Sequence, residues 1–555
     1  MFSKKEQLYR NYIFYKRFVR PQHMAIVWGH EAAQGNMLMT EFNGGWLLPL
    51  CYAIGCLLAF SRPGDHWKLA RWTATVALAA TVAMALLAMV LSAFAAYQVD
   101  TLGLTAALLV ALLGWVIIIY SSSYLNGEPN QKRFVRAMVF TLTAVAVLVV
   151  SRNLLVIVLA WSATSIGLHY LLTYYSERKA AQVVAHKKFL VSRFAEVCLA
   201  AALLLVYQTA GTMSLDAIDG YLAGLDGLPA SLQWAALLFA FAAILKTAQL
   251  PLHGWLIQVM EAPTPVSALL HAGVVNMGGF ILIRLAELIS LAPMAQAALV
   301  IVGSLTAVLA GLVMLTRISI KVRLAWSTCA QMGFMLMEIG LGLYELALLH
   351  LVAHSLYKAH AFLSAGETVR SARINDFLAP ARTARSPLWY LAALLISGIL
   401  VTTSAIVWQW LLPDLAVPSV ALLIVALGLA SLLWIEQTGA RAPLLRGVVQ
   451  VLALTQLYLL WHALFAGLAP TPAQVGSPLV IWVVASFAVL YGAQVWLRCH
   501  PQGRFARAFY PWAYCGFYLD ETYTRLTFKL WPVKLSPTQA QTLAIRETAP
   551  QGDSL

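Results

Sequence analysis

Apolar runs of roughly 17–25 residues, the length that crosses a bilayer core, recur along almost the whole chain. They fall at 46–61, 72–95, 101–121, 136–151, 154–175, 189–208, 233–258, 264–286, 297–316, 322–343, 346–369, 388–412, 419–436, 446–467 and 478–498. Hydrophobic residues make up 61% of the chain and charged residues 11%, where soluble proteins carry about a quarter charged. Such a chain cannot hide its apolar surface from water, so its solvent is lipid. The expected fold is all-α: one polytopic membrane bundle of about 14–15 transmembrane helices.

The formal net charge of +14 would raise nucleic acid as a partner for a soluble protein. Here no basic stripe interleaved with aromatics is present, and nucleic-acid binding is not expected. The basic residues sit in alternate connections instead. Arg62, Lys68 and Arg71 follow the first run, and Lys132, Arg133 and Arg136 the third. Arg178, Lys179, Lys187 and Lys188 follow the fifth; Arg317, Lys321 and Arg323 the ninth. Arg370, Arg373, Arg382 and Arg385 come next, then Arg441 and Arg446, then Arg498, Arg504 and Arg507. The connection at 209–232 carries Asp216, Asp219 and Asp226. Positive charge stays inside, so the odd connections and the C-terminal segment are expected in the cytoplasm of a bacterial inner membrane.

That orientation puts residues 1–45 outside, although they carry Lys4, Lys5, Arg10, Lys16, Arg17 and Arg20. Either the segment is translocated despite its charge or synthesis starts at Met37 or Met39. No apolar core of a cleavable signal peptide opens the chain. The six cysteines form no CxxC pair and read as reduced, small hydrophobes.

An ionisable residue at the bilayer centre costs roughly 2.5–3.5 kcal/mol even on lenient insertion scales, so it marks a bundle interior or an aqueous path. Lys246, in LLFAFAAILKTAQLPLHGW, lies deep within its run. Pro251 follows and removes a backbone donor, so the helix is expected to break there and free backbone groups for an ion path. His350, His354 and Lys358 recur every four residues. At 100° per residue they stack as a stripe on one helix face, a pattern that suits a proton relay. Lysine is a poor metal ligand, and no carboxylate or cysteine joins that stripe, so no metal is expected. His271 and Glu261 flank the SALLHAG stretch, with His271 inside its span. Glu196 is the expected acid partner, although Arg193 three residues earlier offers it an intrahelical salt bridge. Glu338 and Glu345 flank an outer connection.

Several long stretches in the same order resemble the antiporter-like membrane subunits of respiratory complex I and of the Mrp cation antiporters. They are KTAQLPLHGW, EAPTPVSALLHAG, IKVRLAWSTCAQMGF and HLVAHSLYKAHAFLSAGE, within roughly residues 98–375. The resemblance implies two inverted five-helix repeats, each with a broken helix, and a buried polar axis that moves protons. Its lysines and histidine fall on Lys246, His271 and Lys358, with His350 and His354 beside them. Three departures stand out. The family has Trp-Glu where this chain has Trp161-Ser162. The family's twelfth span is broken and charged, whereas PLWYLAALLISGILVTTSAIVWQWLLP is neither. The largest complex I subunit continues into a lateral helix, whereas this sequence ends at Leu555.

The organisation expected is a basic segment at 1–45, three helices at 46–135, an antiporter-like core at 136–375, further helices at 376–500 and a cytoplasmic tail at 501–555. WSATSIGLHYLLTYY, AAQVVAHKKFLVSRFAE and SALLHAGVVNMGGFILIR are similar to one sub-branch, the membrane subunits of DAB-type inorganic-carbon accumulation complexes. That similarity implies a zinc-containing, β-carbonic-anhydrase-like cytoplasmic partner of the DabA type, which hydrates CO₂ to bicarbonate. This chain would couple the hydration to H⁺ or Na⁺ flow, without a cofactor and without catalysing the chemistry itself. The alternative is a proton-translocating subunit of a quinone oxidoreductase or Mrp antiporter. A scaffold that moves nothing has no use for buried lysines.

Overall fold

The computed structural model describes residues 44–61, 65–93, 100–175, 177–367, 386–413, 415, 417–434, 442–469 and 475–531. The start at Met37 or Met39 and the basic connection at 370–385 lie outside these. In chain order come α1 (Leu47–Ser61), α2 (His66–Ala93), α3 (Thr101–Tyr124), α4 (Gln131–Val150) and α5 (Leu154–Leu172). Next are α6 (Lys179–Ala210), the short surface helix α7 (Leu215–Ala223), α8 (Ala230–Lys246) and α9 (Gly254–Ile257). Then follow α10 (Thr264–Ala272), α11 (Met277–Arg284), α12 (Ala286–Ser290), α13 (Pro293–Met314), α14 (Ile320–Gly340) and α15 (Tyr344–Leu363). The remaining helices are α16 (Pro387–Leu411), α17 (Ser419–Ala430), α18 (Ala442–Phe465), α19 (Ser477–Cys499), α20 (Arg504–Tyr514) and α21 (Leu519–Leu530).

Each expected apolar run meets a helix, and the protein is an all-α polytopic membrane protein. Among the described residues, ten helical stretches are long and apolar enough to cross a bilayer, and three more, including α1 and α8, are apolar but shorter. Local chemistry fixes several starts. Asp100 caps α3 by accepting from the Gly103 amide, and Asn153 caps α5 by accepting from Leu155 and Val156. Proline occupies the first turn of α10, α13, α16 and α19, where its missing amide costs nothing.

The helix ends sort into two faces. One, the basic end, carries the Lys- and Arg-rich connections. At the opposite end Arg284 clamps Asp100 through two bonds of 2.8 and 2.6 Å and also donates to the Val149 carbonyl at 2.8 Å. Arg152 bonds Asp216 on α7 in the same neighbourhood.

Burial separates centre from edge. Of the most apolar stretch of Thr264–Arg284, 94% is buried, against 11% for Ser477–Cys499. The polar candidates therefore sit in the α3–α15 body, and α19 shows most of its surface to lipid. Within that body α13 and α14 cross at Gly303 and Gly333, where a Cβ on either would press on the other's backbone.

The helix does break around Pro251: residues 247–253 interrupt the run at 233–258, and α8 already stops at Lys246. Two differences from expectation concern helix continuity. The run at 264–286, read as one continuous span, is also interrupted, between Ala272 and Met277. Finally, α6 begins at Lys179, so Lys187 and Lys188 are buried helical residues rather than loop charges.

Candidate functional site

Lys246 is the last residue of α8, so its ammonium lies where the backbone opens. It is 8% exposed. Its Nζ donates to the Trp161 carbonyl at 3.2 Å and lies 4.5 Å from the centre of the Trp161 indole. At Ser162, where the family resemblance leads one to look for an acid, there is none. The neighbouring backbone carbonyl accepts instead. The nearest carboxylate is Glu196, with Oε1 4.0 Å from Lys246 Nζ. The same Oε1 accepts from Arg193 Nη2 at 2.8 Å. Glu196 thus faces both the intrahelical arginine and the buried lysine.

A second amine enters the same space. Lys188 is 6% exposed and points at the Ser165 carbonyl, 3.4 Å away. Trp161, Ser165, Lys188, Lys246 and Trp255 enclose a cavity of about 20 Å³, room for one water. Leu270 and Val274 form its far wall. They bracket His271, so one face of that segment closes the lysine chamber.

His271 is fully buried and stacks on Phe362 of α15, ring centres 4.4 Å apart and 18° from parallel. Neither of its ring nitrogens has a hydrogen-bond partner among the described residues, and the same holds for His354. Past His271 the helix gives way to a 3-10 turn, Val274–Asn276. There Asn276 Nδ2 donates to the Ala272 carbonyl at 2.9 Å and to Ser355 Oγ at 2.7 Å. This bond ties the second interruption to the face of α15 that carries the stripe.

Lys358 is fully buried, and its Nζ donates to the Leu324 carbonyl of α14 at 3.0 Å. The His350 and His354 rings lie 6.0 Å apart. At the far end of the stripe His350 Nδ1 meets Glu338 Oε2 at 2.9 Å. A cavity of about 410 Å³ between α14, α15 and α18 reaches this pair, with Gln331 and Tyr458 on its wall.

Pro251 lies in the interruption between α8 and α9. Glu261 ends a 3-10 turn, and its side chain lies outside the described residues. Glu345 is turned away from the path and accepts from the Gly467 amide at 2.7 Å. Among the described residues no group of three metal-ligating side chains forms. The α16 helix runs unbroken from Pro387 to Leu411.

Sequence reading missed Lys188, Asn276 and Ser355. Lys188 was hidden by its neighbours: in HKKF it looks like one more loop charge. Asn276 left a signal, an amide side chain inside GVVNMGG, where a continuous span has no use for it.

Two family models match. One, described as NADH:quinone oxidoreductase/Mrp antiporter, TM, covers residues 151–433. The other, NADH-Ubiquinone oxidoreductase (complex I), chain 5 N-terminus, covers 81–135. A probable inorganic carbon transporter subunit DabB of Hydrogenovibrio crunogenus is 42% identical over 77% of this chain and 82% of its own length. DabB2 of Halothiobacillus neapolitanus, also named a probable inorganic carbon transporter subunit, is 38% identical over 82% and 84%. NADH-quinone oxidoreductase subunit L of Escherichia coli is 34% identical over 49% of this chain and 44% of its own. Among solved structures, one of an Mrp complex from Dietzia shares the fold, with a TM-score of 0.55 and 22% identity. That match covers 92% of this chain and 62% of the other.

Proposed function

The chain belongs to the DabB branch of the NADH:quinone oxidoreductase/Mrp antiporter membrane family, and from that premise we propose that it couples cation flow to inorganic-carbon uptake. The cation is a proton, moving inward along Glu338, His350, His354, Lys358, His271 and Lys246. A DabA-type, zinc-containing cytoplasmic partner hydrates CO₂ to bicarbonate, and the proton flow makes that hydration one-directional. One elementary charge crossing 100 mV releases about 2.3 kcal/mol, a useful drive for a near-equilibrium reaction.

The observation that carries this reading is the pair of buried histidines, His271 and His354, whose ring nitrogens are unpartnered among the described residues and which flank the buried Lys358 on the path. Imidazole exchanges protons near neutral pH and can accept on one nitrogen while it donates from the other. A proton arriving from the opposite face reaches the Glu338–His350 pair and passes along α15 to His354. From His271 it reaches the Lys246 chamber. There two lysines and Arg193 face a single carboxylate, and Glu196 moving between Arg193 and Lys246 changes which amine holds the charge. Lys188 then hands the proton toward the basic end, which faces the cytoplasm by the positive-inside rule.

The test is growth in air of a bacterium that lacks carbonic anhydrase, given this chain and the partner. Growth should need both proteins, stop with an uncoupler, and be lost in Lys246→Ala and Lys358→Ala. Growth untouched by the uncoupler, or by both substitutions, rejects the coupling.

A further inference from the structure

Lys187 is as deeply buried as any lysine of the axis, yet it faces away from the axis. Its side chain is fully buried. Its partner is Asp520 of the tail helix α21, whose two carboxylate oxygens accept from Nζ at 3.0 and 2.9 Å. The same carboxylate accepts from Gln258 Nε2 at 2.9 Å, and Gln258 Oε1 accepts from Lys187 at 3.0 Å. Gln258 lies just past α9, in the segment that re-forms after the break at Lys246. Three separate elements therefore meet at one carboxylate: the start of α6, the re-formed segment and the tail.

The fit around Asp520 is close. A Cβ at Gly254 would overlap its carboxylate, so glycine at that position makes the approach possible. Two neighbours on the tail reinforce the contact. The Tyr523 hydroxyl donates to the Lys187 carbonyl at 2.6 Å, and Trp531 stacks on His186 with ring centres 4.0 Å apart. Glu521, one residue along, turns outward to Arg525 and takes no part.

Lys187 and Lys188 are consecutive on a rigid helix, about 100° apart. One is held by the tail and the other lines the Lys246 chamber. We propose that Asp520 is a positioning residue that latches the basic-end mouth of that chamber, acting through Lys187 to set where Lys188 stands. Withdrawal of the carboxylate leaves a buried ammonium without a counter-charge. The start of α6 must then shift to bring Lys187 to water, carrying Lys188 out of the chamber. Asp520 is itself 26% exposed, so a cytoplasmic protein engaging α21 reaches the latch directly. The ion-path meaning of the latch rests on the function proposed above; its mechanical content does not.

The experiment reads the amines rather than transport. The chain, co-purified with its partner and reconstituted in liposomes, is treated with a water-soluble acylating reagent from the basic side. Labelling of Lys188 and Lys246 is followed by mass spectrometry. Asp520→Asn, which keeps the shape and removes the charge, should label Lys188 roughly tenfold faster than the unsubstituted chain. Glu521→Gln should label at the unsubstituted rate. In a Lys187→Met background, where no buried charge needs release, Asp520→Asn should add nothing. Equal Lys188 labelling in Asp520→Asn and the unsubstituted chain overturns the latch. So does an Asp520→Asn effect that persists undiminished in Lys187→Met. Failure of the carbon-uptake reading appears in growth and flux, and leaves these labelling rates unaffected.

Discussion

Glu196 serves two cations at once, and that division makes the Lys246 site testable at single-residue resolution. Glu196→Gln leaves Lys246 with a carbonyl and an indole but no acid, and should lower carbon-dependent growth rate or flux by roughly tenfold or more. Adding Ser162→Glu places a carboxylate beside Trp161, the residue Lys246 already contacts, and should restore part of the loss. Absence of rescue, with the double variant present in the membrane at normal level, would separate Lys246 from any acid at that position. Outside the spans, Asp219 on α7 offers a pH test. Burial pushes its carboxyl up to about 6, with Glu287 and Asp216 adding to the effect and Arg152 opposing it. The folded chain thus holds this proton more tightly than the unfolded chain, whose ordinary value is 3.8. Stability from this group is complete below about 4 and is lost as pH rises through about 6. Asp219→Asn should raise the thermal midpoint at pH 7 and leave it unchanged at pH 4; an equal shift at both values would exclude titration as the cause.

At the scale of elements, two contacts hold the body in register. Arg284 at the end of α11 joins Asp100 before α3 and the Val149 carbonyl of α4. It is 8% exposed, so Arg284→Ala removes two charge-assisted bonds, leaves Asp100 with the Gly103 amide and with Arg152 at 3.7 Å, and should cost about 1.5–3 kcal/mol. The measurement is the midpoint of thermal aggregation in detergent, which should fall clearly. The α13–α14 crossing has no slack because backbone meets backbone at Gly303 and Gly333. Gly333→Val forces the helices apart, and the shift passes along α14 to the Leu324 carbonyl that holds Lys358. Proton flux should then drop even though no titratable group has changed. Flux equal to the unsubstituted chain, in a variant of normal abundance, would show that Lys358 does not depend on that crossing.

For the whole molecule the open quantity is sidedness. Cys515 is an exposed thiol in the tail, between α20 and α21. If the basic end is cytoplasmic, a membrane-impermeant thiol reagent should label Cys515 in inverted vesicles and not in intact spheroplasts. The reverse pattern would turn the path around and make inward proton flow enter at Lys188. On the proposed path, the unbroken, uncharged α16 is not needed to reach the opposite face. The Glu338–His350 pair lies on α14 and α15, and its cavity is closed by α18 rather than α16.

Much of this was legible in the sequence because membrane solvent simplifies the rules. Apolar run length fixed the helices, and alternating charge sorted their ends into two faces, since both depend on composition over a window and not on partners. The buried character of Lys246, His271, His354 and Lys358 followed from their depth in such runs. Partner choice was different. Whether Glu196 answers Arg193 or Lys246 depends on how α6 packs against α8, and here it answers both. Lys187 and Lys188 carry the same side chain at adjacent positions, so no local signal could assign one to the tail and the other to the chamber. The interruption at Gly273–Asn276 is held by Ser355, on a helix some eighty residues away by sequence. Sequence determined which ionisable residues inside the apolar runs must leave water, because desolvation there is a property of each group and its run. Tertiary structure alone decided what each buried group meets, because a hydrogen bond requires two elements to arrive at the same place.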